Sequence, residues 1–586
     1  MSSIYDKSSL VLIPSGTKTS KVYSQKPTNG DGDFDFTRST AATRIAANGN
    51  IEKETQNLFL QSNQFDTTWG LQNTTLTSGQ SGYNGNDAWF LQSNTANGGH
   101  RILQGTSISG IRTFSIYAKA GGYNYLALYS SGQTQGRYFD LANGLVGNTM
   151  LGTPADSSIE SIGGGWYRCS VTFNGSSGSL EMWMSETGSS YLFTGDGVSG
   201  VYIQDAQLNQ GLIAQEVITT TTTALYGGIT DNVPRLDYTD SSCPALLLEP
   251  QRSNLFNQSE YFGSSYWTKS GSSVVSGFVS PDGTSNAFKL VENTGSGGHS
   301  VFRNSSTVTL ASHSLSCFAK TNGRNLKLDF FGGNNNAIFN LTSGVVISTT
   351  GSGLTAEIET FANGWYRCSV TQVQTLTTIY PNVLCADNSN NSTYTGDGTS
   401  GLYIYGAQLE VGSYATSYIP TYGTSVTRNA DVCNTLNVED LIGQTEGTLF
   451  YQGLVEVFTG NDGHAIALTQ DGDGNGSSRV LLYRANSTGN MKVYFQNASG
   501  VAFGQATLPI PTSSNDKYAI AYSTNDLAIY VNGVLEHTQS VGVIPTTKFV
   551  NINRWTGNIK QKNECKNVLL FKTRLSNAEL ATLTTI

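Results

Sequence analysis

Charge is what this sequence has least of. Only 13% of its 586 residues are Asp, Glu, Lys or Arg, about half the share of an average soluble protein. The hydrophobic share is an ordinary 38%, so Ser, Thr, Asn, Gln and Gly have taken the place of the missing charge. With a net charge of −9 and no segment that concentrates Lys or Arg, a nucleic-acid backbone has no basic footprint to bind, and that partner is excluded. No stretch approaches the 18 or so uninterrupted apolar residues of a membrane span. The opening Met1-Ser2-Ser3-Ile4-Tyr5-Asp6-Lys7 has no basic segment followed by an apolar run, so neither membrane insertion nor Sec export is expected. Cysteines are seven, scattered and never in a C-x-x-C pair, which predicts free buried thiols made in a reducing cytosol and neither a disulfide framework nor a zinc site. Paired acids are missing too. Glycan cleavage on a lectin-like sandwich needs carboxylates alternating along one strand, as in Glu-x-Asp-x-x-Glu, and no such run exists. The five histidines (His100, His299, His313, His464, His537) show no nucleophile elbow and no ligand spacing, so the protein is not expected to be an enzyme.

What the sequence has instead is 65 Gly and a full set of aromatics, 25 Phe, 29 Tyr and 7 Trp. Coiled coils need Ala, Glu, Lys and Leu, collagen needs a strict glycine period, and disordered chains have few aromatics. A turn-rich all-β protein remains, with room for three to four domains.

The chain repeats itself. Asn57-Leu58-Phe59 returns as Asn254-Leu255-Phe256, an offset of 197, and Gly165-Trp166-Tyr167-Arg168-Cys169-Ser170-Val171-Thr172 returns as Gly364-Trp365-Tyr366-Arg367-Cys368-Ser369-Val370-Thr371. By Thr194-Gly195-Asp196-Gly197 and Thr395-Gly396-Asp397-Gly398 the offset has grown to 201, the drift that loop insertions leave in a duplicated domain. Within each copy, runs such as Phe114-Ser115-Ile116-Tyr117-Ala118-Lys119 alternate with period two, as half-buried strands do. Many short strands with turn residues between them predict tandem antiparallel jelly-roll β-sandwiches. The last 140 or so residues do not match the repeat. They offer an Asn532-Gly533 hairpin and a closing helix, announced by a Ser576/Glu579 capping box.

The candidate sites are few. Alternation predicts Trp166 and Cys169 on a buried face with Tyr167 and Arg168 pointing away, which makes the repeated Trp-Tyr pair core rather than sugar platform. Tyr83, Tyr123 and Tyr125, expected to be exposed in turn-rich stretches, are the ligand-binding candidates. Asp471-Gly472-Asp473-Gly474-Asn475-Gly476 copies the first half of an EF-hand loop. Leu482 stands where the bidentate Glu belongs, so a hairpin loop is the better reading and Asp471, Asp473 and Asn475 are calcium candidates only in second place. The Thr-Gly-Asp-Gly copies and the repeat-equivalent His100 and His299 are read as turn chemistry and module packing.

Three stretches resemble segments of bacteriophage fibre and appendage proteins: Leu10-Val11-Leu12-Ile13-Pro14-Ser15-Gly16 running to Asp35-Phe36-Thr37-Arg38-Ser39-Thr40-Ala41-Ala42-Thr43-Arg44, Pro234-Arg235-Leu236-Asp237-Tyr238, and Leu246-Leu247-Leu248-Glu249-Pro250-Gln251-Arg252-Ser253-Asn254-Leu255. In those proteins the first two lie close together, whereas here the first repeat copy stands between them as if inserted. The two copies resemble carbohydrate-binding-module jelly rolls. The C-terminal part is similar to laminin-G-like, concanavalin-A-like lectin domains through Tyr530-Val531-Asn532-Gly533 and Leu575-Ser576-Asn577-Ala578-Glu579-Leu580. The resemblance implies a homo-oligomeric virion protein, synthesised in the bacterial host cytoplasm, that meets capsid, portal or tail proteins and engages surface polysaccharide. A tail-borne glycan depolymerase and a decoration protein without ligand stay open, as does head versus tail. The expected layout is a virion-anchoring segment over 1–52, a jelly roll over 53–212, a connector over 213–250, a second jelly roll over 251–415, a linker over 416–440 and a lectin-like domain over 441–586.

Overall fold

A computed structural model describes residues 2–586 apart from 177, 240, 331–334, 457–461, 472–477, 500–501, 541 and 554–560. The fold is all-β, built of antiparallel sandwiches of jelly-roll type. Among the described residues the α-helices are Ser2–Lys7 and Asn577–Thr584, and neither is long and apolar enough to cross a membrane. Ser576 caps the second: its side chain accepts the Glu579 N–H while the Glu579 carboxylate accepts the Ser576 N–H, satisfying two donors that a helix start leaves open.

Each repeat copy is a sandwich of two six-stranded sheets. In the first copy, the sheet that matters below runs Asp156–Gly163, Trp166–Gly175, Gly110–Gly121, Gly200–Gln210, Asp87–Ser93, Thr74–Ser81. The second copy repeats this order strand for strand, from Thr355–Thr360 to Ser272–Phe278. Even the irregularities recur. Opposite Ser115/Tyr117 and Ser316/Phe318 the register slips, and the extra residue takes a left-handed backbone, Asp205 at φ 52° in one copy and Gly406 at φ 59° in the other.

The two copies touch. Gly110 and Ile111, at the start of a first-copy strand, meet the segment around Tyr422, where the Ile111 N–H donates to the Tyr422 carbonyl at 2.7 Å. Ile111 and Leu212 are buried within the second copy's hydrophobic cluster.

The third sandwich is assembled from pieces that the sequence keeps far apart. Leu10–Leu12 pairs with Asn563–Phe571, matching Leu10 to Leu570, and Ala245–Leu248 lies along the same strand. On the facing sheet Phe34–Thr37 pairs with Val432–Thr435. Leu10, Leu12, Phe34, Phe36, Leu246, Leu248 and Cys433 share one buried core with Leu449, Ile520 and Leu570. The expected separate segment over 1–52, connector over 213–250 and linker over 416–440 thus each supply strands to this sandwich, where their apolar residues find a core. The threonine run is no free linker either: Thr220 is buried, donating through Oγ1 to the Phe59 carbonyl at 2.6 Å. The Asn532-Gly533 hairpin forms as expected, with both residues at positive φ (50° and 86°). All seven cysteines are free. Six are buried, and Cys243 is exposed against expectation because it sits in a loop rather than a strand.

Where the chain leaves this sandwich for each copy and returns, three arginines and two acids meet with side chains at most 1% exposed. Arg38 pairs with Asp431 at 3.0 Å, Arg235 with Glu249 at 2.6 Å and also with Asp431, and Arg428 with Glu249 at 2.7 Å. Burial alone pushes the Glu249 carboxyl up, but Arg428 and Arg235 together hold it well below the usual carboxylate range. Arg38, Arg235 and Glu249 belong to the three stretches singled out by resemblance. Those stretches thus meet in a buried knot.

Candidate functional site

The main sheet of the first copy turns one side to its core and the other outward. Phe114, Ile116 and Ala118 point inward together with Cys169 and Val171, so alternation sends Tyr117 and Lys119, with Trp166 and Arg168, to the outer side. Register then fixes a row: Lys119 stands opposite Trp166 on one flank and Tyr202 on the other, and Tyr202 stands opposite Phe90. The neighbouring row holds Arg168, Tyr117 and Gln204. Tyr83, from the loop after Thr74–Ser81, lays its ring on Tyr117 with centroids 4.0 Å apart and planes at 18°. Its hydroxyl donates to Asp205 at 3.0 Å, and burial followed by the Asp205 charge pushes that phenol up, so it stays protonated. Ring contacts run on from Tyr83 to Trp166 at 6.3 Å, to Tyr202 at 6.5 Å and to Phe90 at 4.9 Å. Trp166 is buried, while Tyr83, Phe90, Tyr117, Lys119, Arg168 and Tyr202 are half-buried.

The second copy shows the same face with a cover on it. Arg367, Phe318 and Tyr405 form one row there, and Tyr403 and Lys320 stand opposite each other in the next. Ile51, Phe361 and Tyr418 pack over Phe318, Trp365 and Tyr405 in a hydrophobic cluster of their own. Lys53 follows Ile51 down and pairs with Asp282 at 2.8 Å and Glu260 at 3.1 Å. Burial raises the Asp282 carboxyl, but Lys53 and hydrogen bonds from Ser280 and Thr284 hold it far below its ordinary value. In the first copy, Phe90, Tyr117 and Tyr202 belong to none of the hydrophobic clusters of described residues.

Of the expected ligand residues, Tyr83 joins this face and the other two do not. Tyr123 is buried at 6% exposure, its hydroxyl sharing a hydrogen bond with Ser93 at 3.1 Å and its ring edge-on to Phe193; it belongs to the core rather than to a loop surface. Tyr125 begins a strand of the opposite sheet, half-buried beneath the Gly188 loop, where a Cβ would lie 2.7 Å from its ring. The Trp-Tyr expectation holds for burial, with Trp166 and Trp365 at 4% and 2% exposure, and fails for the face they take. Tyr167 packs on the core beside Cys169 while Trp166 faces out with Arg168, because residues three apart on a strand lie on opposite faces. Asp471 is half-buried and described, whereas Asp473 and Asn475 lie outside the described residues. Among the described residues no group of three or more His, Cys, Asp or Glu is placed to hold a metal ion. His100 and His299 are buried, each with Nδ1 at 2.7 Å from a backbone carbonyl, of Asn73 and Gly271 respectively. Asp196 and Asp397 accept backbone N–H groups two and three residues on, at 2.7 to 2.8 Å, as turn residues do.

A cavity of about 70 Å³ lies where the second copy meets the third sandwich, lined by Arg44, Asp237, Arg367, Lys562 and Glu564 among others. Its charges are largely matched already, Arg44 by Glu52 at 2.8 Å and Lys562 by Glu564 at 2.7 Å. The aromatic row of the first copy is the better candidate.

No protein-family profile matches the chain, and no curated protein does. Solved structures that it resembles include the CBM40 of the Ruminococcus gnavus IT-sialidase bound to α2,3-sialyllactose, at 17% identity over 25% of this chain and 85% of that one, TM-score 0.21. The binding domain of botulinum neurotoxin serotype D is 13% identical over 26% and 40% of the two chains, TM-score 0.21. The NanB sialidase of Streptococcus pneumoniae is 14% identical over 25% and 25%, TM-score 0.21.

Proposed function

We propose that this protein is an adhesive structural protein that binds surface glycans through the outer face of its first jelly roll. The observation that carries the reading is the comparison of the two copies. One aromatic face is buried beneath Ile51, Phe361 and Tyr418, and its duplicate presents Tyr83, Phe90, Tyr117 and Tyr202 half-buried and uncovered by any such cluster. Pyranose rings carry an apolar C–H face that lies well on a flat aromatic ring, and tyrosines add a polar edge. Each contact is weak, so the binding gains strength from copies held on one particle, where linked sites raise avidity by about 10²- to 10⁴-fold.

The setting we propose is a bacteriophage virion, with the chain as a homo-oligomeric head or tail fibre or appendage, synthesised in the bacterial host cytoplasm and meeting capsid, portal or tail proteins. Support comes from the stretches around Leu10–Arg44, Pro234–Tyr238 and Leu246–Leu255 that resemble such proteins. Antibody-gold labelling of particles tests the location. The full chain applied to an array of bacterial surface polysaccharides tests the activity. Tyr202→Ala is expected to weaken binding about tenfold, the equivalent of about 1.4 kcal/mol. Silence of the intact protein across the array would sink the adhesive reading, leaving an architectural one.

A further inference from the structure

The row Trp166, Lys119, Tyr202, Phe90 has a cation at its centre, and its surroundings differ between the copies. In the second copy the equivalent Lys320 donates to the Asn363 carbonyl at 2.8 Å, a group supplied by the turn Ala362–Gly364. The first copy has Gly163-Gly164-Gly165 there, all at positive φ, and Lys119 lies against Gly165, where a Cβ would stand 3.6 Å from its Cε. The Lys119 side chain makes no hydrogen bond or ion pair among the described residues. Arg168, in the next row, spends its donors on the Gln215 carbonyl and the Ser115 hydroxyl, both uncharged, and lies 5.4 Å from the Tyr117 ring centre. Glu160, exposed, stands opposite Arg168 in the register, exposed Glu216 follows the Gln215 that Arg168 bonds, and Asp205 is already taken by the Tyr83 hydroxyl. The outer face thus offers two positive charges among aromatic rings, one of them with no partner.

We infer that the glycan taken by this face carries carboxylate groups, with Lys119 receiving a carboxylate while neighbouring sugar rings lie on the half-buried Tyr202 and Phe90 to one side and on Tyr83 to the other. Four strands at about 4.8 Å spacing give a row of about 14 Å, enough for a short run of rings. A neutral glycan would satisfy the aromatics and leave the ammonium unmatched, whereas a carboxylate forms a charge-assisted hydrogen bond, roughly twice as strong as a neutral one. The inference rests on the platform reading above and adds the chemistry of its ligand.

The test uses the full chain and two probes, polygalacturonate and the same polymer with its carboxyls reduced to alcohols. Wild type is expected to bind the acidic polymer about tenfold more tightly at low salt, with the difference collapsing near 1 M salt, where the screening length falls to about 3 Å. Lys119→Gln is expected to bring the two polymers level with an unchanged melting curve, Lys320→Gln to leave the preference intact, and Tyr202→Ala to weaken both polymers alike. Equal binding of the two polymers by wild type, or a preference that survives Lys119→Gln, overturns the inference and leaves the platform standing. Binding of either polymer that ignores Tyr202→Ala overturns the platform and the inference with it.

Discussion

Glu54 stands where the first jelly roll departs, half-buried beside a cavity of about 130 Å³ that Gln56, Gln215 and Tyr422 also line. Burial, and then the charge of Asp231, pushes its carboxyl up from 4.5 to about 7. An acid raised in the folded state ionises first in the unfolded chain, so its effect on stability runs downhill with pH. Below 4.5 both states hold the proton, stability falls as pH rises from there to about 7, and above that the loss is constant. Glu54→Gln is expected to raise the melting temperature at about pH 8 and to leave it unchanged at about pH 4. Calorimetry at the two pH values checks it, and an equal gain at both would refute the assignment. At this scale the sequence was a partial guide. Tyr83 was legible as a residue of the outer face because a turn-rich stretch puts an aromatic near the surface. Tyr123 was not, since nothing local says that Phe193 and Ser93 close over it. Phe90, Tyr202 and Lys119 were missed although strand parity was available to find them: Lys119 shares its face with Tyr117, and Trp166 with Arg168.

Strands and their caps carry the next level. The duplicated jelly rolls were legible in full, because repeated Trp-Tyr-Arg-Cys-Ser-Val-Thr runs and period-two alternation specify half-buried strands whatever surrounds them. The cover on the second copy was not, since part of it, Ile45 and Ile51, comes from some 200 positions upstream of the module it closes. One strand start is the tightest point of the docking between the copies. Gly110 has φ 82°, and a Cβ there would fall 1.8 Å from the Tyr422 carbonyl oxygen, a contact no side chain can make. Gly110→Ala is expected to lift the first copy off the second, pulling Ile111 from the second copy's core at a cost of about 2–4 kcal/mol. A cooperative thermal transition would then split in two. A single unshifted transition would show that the copies fold independently of this contact.

For the whole molecule, the two jelly rolls are insertions in a sandwich that closes without them. The first one's entry and exit form a paired stub, Thr55–Asn57 against Leu225–Gly227, and the second one's do the same, Arg252–Asn254 against Val426–Arg428. Replacing residues 58–224 by an Asn-Gly turn is expected to give a folded protein that has lost glycan binding. Circular dichroism and the polysaccharide array read the two halves of that statement, and an unfolded product would refute the insertion. This architecture was hidden in the sequence because pairing such as Leu10 with Leu570 has no local signature; only the odd distance between the Thr37-Arg38 and Pro234-Arg235 stretches hinted at it.

That same pairing sets a timetable at the ribosome. Leu10–Leu12 leaves the exit tunnel long before its strand partner, Asn563–Phe571. At roughly 5 to 20 residues per second the interval is about half a minute to two minutes. Within it, the two jelly rolls have their own complete sets of strands and can fold as they emerge, while the apolar strand Leu10–Leu12 waits for its partner. The sandwich is thus closed only after the two jelly rolls inserted in it have been made.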